Sequence, residues 1–69
     1  MDRRHNPDRR DAIVTAIAQY THEHGWPPTV REIGDIVGIR STSTTQYHLD
    51  VLEEEGRIKR DGKPRTIRV

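Results

Sequence analysis

The stretch Thr29-Val30-Arg31-Glu32-Ile33-Gly34-Asp35-Ile36-Val37-Gly38-Ile39-Arg40-Ser41-Thr42-Ser43-Thr44-Thr45-Gln46-Tyr47 decides the fold. Thr29 with Glu32 three residues later is a capping box: the hydroxyl accepts from an amide of the first turn and the carboxylate reaches back. Ile33, Ile36 and Val37 supply the buried side of a short helix, and Gly38 closes it. Ile39-Arg40 is a tight link. Ser41 or Thr42 then caps a further helix, expected to run to about Glu55, before Gly56. Leu49 and Leu52 are spaced for burial with Thr45 and His48 beside them, while Asp50, Glu53, Glu54 and Glu55 lie toward solvent. Two helices joined by about four residues beginning with a glycine have helix-turn-helix spacing.

Upstream, Asn6-Pro7-Asp8 reads as a helix start, with Asn as cap, Pro at the first helical position and Asp at the positive end of the dipole. Ile13, Ile17 and Tyr20 recur at helical spacing with Ala16 beside them, and Gly25 ends this first helix after His24. Trp26-Pro27-Pro28 cannot be helical. Trp26 is expected to pack the connection against the core. Downstream of Gly56 the period changes from helical to alternating. Ile58 points in between Arg57 and Lys59, Asp61-Gly62-Lys63-Pro64 is a turn, and Ile67 and Val69 alternate with Thr66 and Arg68. That predicts a β-hairpin with one apolar and one basic face. The expected fold is mainly α with a small β-hairpin: a three-helix winged helix-turn-helix over residues 7–69, preceded by a flexible leader over residues 1–6.

Bulk composition narrows the class. A chain of 69 residues is one small domain. Only 30% of it is hydrophobic and Phe is absent, so the core must come from Ile, Val, Leu and Tyr. Without cysteine there is no disulfide framework and no thiolate zinc site. No apolar run approaches the roughly eighteen residues of a membrane span, and Met1 to Arg10 has no secretory h-region. Of the histidines His5, His22, His24 and His48, His22 and His24 are two apart on a helix and point in different directions. No nucleophile, base and orienting group share a recognisable spacing, and no glycine loop cradles phosphate. Neither an enzyme nor a metal, cofactor or small-molecule site is expected.

Charge is unevenly spread. Residues 30–56 carry two basic and six acidic side chains, whereas residues 57–69 carry six basic ones against Asp61 alone. A positive C-terminal segment suits a polyanion, and a solvated hairpin is the competing reading. The string Ser41-Thr42-Ser43-Thr44-Thr45-Gln46-Tyr47 is poor for helix propensity, where a helix built for stability would use Ala, Glu and Lys. Short hydroxyl side chains let a helix approach a major groove, where Ser and Thr contact base edges or phosphates and Gln pairs with adenine. The Tyr47 hydroxyl can reach a phosphate, or its ring a thymine methyl. Thr45, facing the way of Leu49 and Leu52, is the structural member. Lys63 and Arg65 near the hairpin tip, with Arg31 and Arg40 near the starts of the second and third helices, are candidates for phosphate contact.

The run Gly25-Trp26-Pro27-Pro28-Thr29-Val30-Arg31-Glu32-Ile33-Gly34, then Val37-Gly38-Ile39-Arg40-Ser41-Thr42-Ser43, resembles the N-terminal DNA-binding domain of LexA repressors. So do His48-Leu49, Leu52-Glu53, Gly56, Pro64-Arg65 and Ile67, and the similarity extends over residues 8–69. The resemblance implies a winged helix that represses transcription in the SOS response, in the bacterial cytoplasm at the nucleoid. The third helix would enter the major groove of a palindromic operator in double-stranded DNA. It places Ser41, Ser43, Thr44, Gln46 and Tyr47 on the bases, with Arg31, Arg40, Thr42, Lys63 and Arg65 on the backbone. LexA proteins also carry a C-terminal domain with a self-cleavage site, a Ser/Lys dyad and the dimer interface. The sequence stops as the second wing strand ends, so no self-cleavage is assigned to it. It reads either as the DNA-binding part of a longer repressor or as a small natural protein, for instance from a phage. A homodimer on DNA stays open. The alternative function is a protein-interaction winged helix, an antirepressor or a competitor of a host regulator.

Overall fold

The structure is a computed structural model that describes residues 7–69, with side chains from Arg9 onward; the expected leader and the Asn6 cap lie outside the described residues. Three helices follow in order: α1 (Pro7–His24), α2 (Val30–Val37) and α3 (Thr42–Glu54). α1 ends where the Gly25 amide donates to the Thr21 carbonyl at 2.8 Å. α2 starts on the complete Thr29–Glu32 capping box and stops at Gly38, whose φ of 80° is left-handed. Ser41, not Thr42, is the cap of α3, in extended geometry and accepting from the Thr44 amide at 3.3 Å.

Ile13 and Ile17 of α1, Ile33 of α2, Leu49 and Leu52 of α3, and Ile58 and Ile67 of the C-terminal arm (residues 57–69) form one buried cluster. Their spacings of three and four along the helices bring each pair to one face. Burying each such side chain contributes roughly 1.5–3 kcal/mol. Ile39, read in the sequence as part of a link, also belongs to this core, so the tight turn is pinned from below. Thr45 is buried as expected; its hydroxyl donates to the Ser41 carbonyl at 3.3 Å.

Three expectations are corrected. The β-hairpin does not form strands. The arm closes on itself at one antiparallel bridge, Lys59–Arg68, with reciprocal hydrogen bonds of 2.7 and 2.8 Å. Toward the tip, Pro64 offers no amide and Arg65 turns through a positive φ of 60°. The Thr66 hydroxyl replaces the missing rungs, accepting from the Asp61 amide and donating to the Lys63 carbonyl. Ile36 is 52% exposed instead of buried, because a helix of eight residues turns only Ile33 and Gly34 fully inward. Trp26 is 51% exposed; Pro28 fills the core position, and the indole lies 5.9 Å from the His24 ring.

Candidate nucleic-acid interface

The cap at Ser41 and the burial of Thr45, Leu49 and Leu52 fix the rotation of α3. Ser41, Thr42, Ser43, Thr44, Gln46 and Tyr47 are all exposed as a consequence. The tyrosine ring stands out from the helix, edge-on to His48.

Two open clefts flank this turn. One, about 480 Å³, runs between α2, α3 and the arm and is lined by Arg31, Thr42, Gln46, Lys63 and Arg65 among others. The second, about 300 Å³, lies on the other side and includes Arg31, Arg40 and Thr42. The hydroxyl-rich turn and the basic arm thus share one surface. All five residues expected on a nucleic-acid backbone line these clefts. Ser41, Ser43, Thr44 and Tyr47 line neither and stand on the exposed turn beside them.

Much of the arm's positive charge is already engaged. Arg57 pairs with Asp11 at 2.6 Å, Arg68 with Asp61 at 3.8 Å, and Arg60 with Asp50 and Glu53. Arg65 makes a two-pronged pair with Glu32, Nη1 to Oε1 at 3.0 Å and Nη2 to Oε2 at 3.1 Å. It also donates to the Pro27 carbonyl at 3.2 Å. Among the described residues no carboxylate pairs with Arg31, Arg40 or Lys63. Lys59 also has no carboxylate partner among the described residues but lines neither cleft, so three of these cations, Arg31, Arg40 and Lys63, are grouped around the α3 turn.

The model of the LexA DNA binding domain family matches residues 6–66. The chain belongs to that family. It is 48% identical over 62 residues to the LexA repressor of Desulfitobacterium hafniense (strain DSM 10664 / DCB-2), an alignment covering 88% of this chain and 30% of that repressor. With the LexA repressor of Syntrophomonas wolfei the identity is 52% over 60 residues, 86% of this chain and 29% of the relative. With that of Corynebacterium jeikeium it is 47% over 62 residues, 88% and 23%. The chain spans less than a third of the length of these curated relatives.

Within this LexA-type surface the sequence reading missed two residues. Arg60 is counted there only as wing charge, yet its side chain is just 17% exposed and lies along α3. Glu32 is read only as a cap, yet it ties three segments together. Its carboxylate accepts from the Thr29 amide at 2.8 Å, the Tyr20 hydroxyl at 3.0 Å and Arg65. The Thr29 amide first, then Arg65 and Tyr20, hold the Glu32 carboxyl down from its ordinary 4.5 to about 2, against the opposing effect of burial. A depressed carboxyl stabilises the fold above its unfolded value. That contribution fades as pH falls from 4.5 through about 2. Thermal melts of the parent and Glu32→Gln should therefore differ at pH 7 and converge by pH 2. Curves that stay equally separated across this range would mean the carboxylate has no such role.

Proposed function

We propose that the domain is a sequence-specific transcriptional regulator, a repressor acting at the bacterial nucleoid. It reads a LexA-type palindromic operator in double-stranded DNA. α3 enters the major groove, with Ser41, Ser43, Thr44, Gln46 and Tyr47 toward base edges. Arg31, Arg40, Thr42 and Lys63 take phosphates, and the arm lies along the backbone. Arg65, already bonded to Glu32, adds less net charge there than Lys63. Two copies bind two half-sites about one helical turn apart. The observation that carries this reading is the outward hydroxyl-rich turn of α3 beside Arg31, Arg40 and Lys63, which pair with no carboxylate among the described residues.

Selection of bound duplexes from a random pool, followed by mass measurement of the complex, tests it. A recovered palindrome with two copies of the chain is expected. A pool left without any enriched motif removes the reading. Lys63→Ala should weaken operator and random duplex by similar factors and lower the salt slope by about 1, as for a single lost phosphate contact. An unchanged slope would take Lys63 off the backbone.

A further inference from the structure

Arg60 occupies an unusual place for a cation of this surface. Gln46, Asp50 and Glu53 recur at spacings of four and three along α3 and so share one face. The Arg60 guanidinium lies across that face. Its Nε donates to Glu53 Oε1 at 3.2 Å, its Nη2 to Asp50 Oδ1, and its Nη1 to Gln46 Oε1 at 3.3 Å. Two carboxylates hold the guanidinium, so the neutral amide is the partner that must adapt. A guanidinium has donors and no acceptor. Only the oxygen of the Gln46 amide can face it, and the NH2 group is left pointing away. Gln46 is exposed, and both residues line the cleft that Lys63 and Thr42 share.

We propose that Arg60 is a positioning residue for base selection: it turns the Gln46 amide so that the side chain offers N–H donors to the groove and selects guanine. The inference rests on the operator reading above. Guanine presents two acceptors, N7 and O6, in the major groove. Adenine presents one acceptor and one donor, and bidentate pairing with it needs amide oxygen and nitrogen together. An oxygen committed to Arg60 favours the first pattern over the second. This replaces the simple expectation that a helix glutamine reads adenine.

The test is three selections from the same random duplex pool, with the parent chain, Gln46→Ala and Arg60→Met. Gln46→Ala identifies the position Gln46 reads, by loss of preference there. The parent should favour guanine at that position. Arg60→Met keeps an unbranched stem and removes the guanidinium. It should shift the guanine-to-adenine ratio there toward adenine by about tenfold or more, with the other positions unchanged. A residue that merely supports the fold would weaken every position alike. If circular dichroism shows Arg60→Met unfolded, Asp50→Asn loosens the same guanidinium and should move the ratio in the same direction. Adenine preferred by the parent, a ratio unmoved by the variant, or no position responding to Gln46→Ala each overturns the inference while leaving the operator reading intact. A parent pool with no motif at all overturns both.

Discussion

Replacing Gly34 with valine should lower the stability of the domain by about 3 kcal/mol and its Tm by more than about 10 °C. For 69 residues, total stability is of order 3–10 kcal/mol, so the loss would leave much of the chain unfolded near physiological temperature. Gly34 is buried inside α2 where α3 crosses it. Any Cβ there would stand 2.9 Å from the Ile39 carbonyl oxygen and 3.2 Å from Thr45 Oγ1. Neither neighbour can retreat easily. Ile39 is held by its buried side chain and by its amide, which donates to the Gly34 carbonyl at 2.8 Å. The Thr45 hydroxyl is bound to the Ser41 carbonyl. Gly34→Ala sets two effects against each other. Alanine in a helix interior gains roughly 0.5–1 kcal/mol over glycine, while overpacking costs about 1–3 kcal/mol. Because the close atom is backbone, the clash should win, and alanine too should destabilise. Urea unfolding reads the sign directly as a lowered midpoint with an unchanged slope. An alanine variant as stable as its parent would mean that the Ile39 carbonyl gives way to the added Cβ at a cost no larger than alanine's helix gain.

Gly34 also shows what the sequence does and does not disclose. A lone glycine inside a helical pattern signals a close approach without naming what approaches. The three helices are legible because their signals are local: a capping box at Thr29, a serine cap at Ser41, left-handed glycines and apolar residues at helical spacing. The apolar alternation after Gly56 signals burial for Ile58 and Ile67, both in the core, but not for Val69, which is 59% exposed. Its conversion into strands failed because Pro64 and Arg65 turn the return path away before a second rung can form. Trp26 and Ile36 fall outside the core because close neighbours in sequence, Pro28 and Ile33, take the buried positions, and which of two nearby apolar residues does so is decided by packing against the rest of the fold.

The candidate interface was legible in the same uneven way. The outward turn of α3 follows from Ser41 and the stripe Thr45, Leu49, Leu52, all within twelve residues of each other. The charge was harder. Arg57 finds Asp11, Arg65 finds Glu32 and Arg60 finds Asp50, pairings across the fold that no local pattern announces. Summed along the chain, the arm is strongly positive. Resolved in space, its unspent charge near the α3 turn narrows to Lys63, joined there by Arg31 and Arg40 from elsewhere in the sequence.

Thr44→Glu should make the protein more stable and a far poorer DNA binder. The two capped helices of this chain differ in one respect. α2 carries Glu32 at its third position, completing a box with Thr29. α3 has Thr44 at the equivalent place behind Ser41, and no acidic residue anywhere in its first turn. Glutamate at 44 could reach back to the Ser41 amide and would face the positive end of the helix dipole, together stabilising by about 0.3–1 kcal/mol. The same carboxylate would stand on the exposed turn proposed to approach phosphate and would replace a candidate base contact. A lost base contact with added like-charge repulsion should reduce operator affinity by about a hundredfold. The salt slope should fall as well, because a fixed negative charge offsets one of the phosphate-binding cations. Thr44→Gln separates the causes: it can close the same box without charge, so its affinity should lie between the parent and Thr44→Glu. If Thr44→Glu melted higher yet bound operator within about threefold of the parent, the α3 turn would not face DNA. If both variants melted lower, the reading of Ser41 as an incomplete box would be wrong. Opposite signs in melting and binding are what a helix start shaped by an anionic partner must give, since the acid that best caps the helix is the one group its partner excludes.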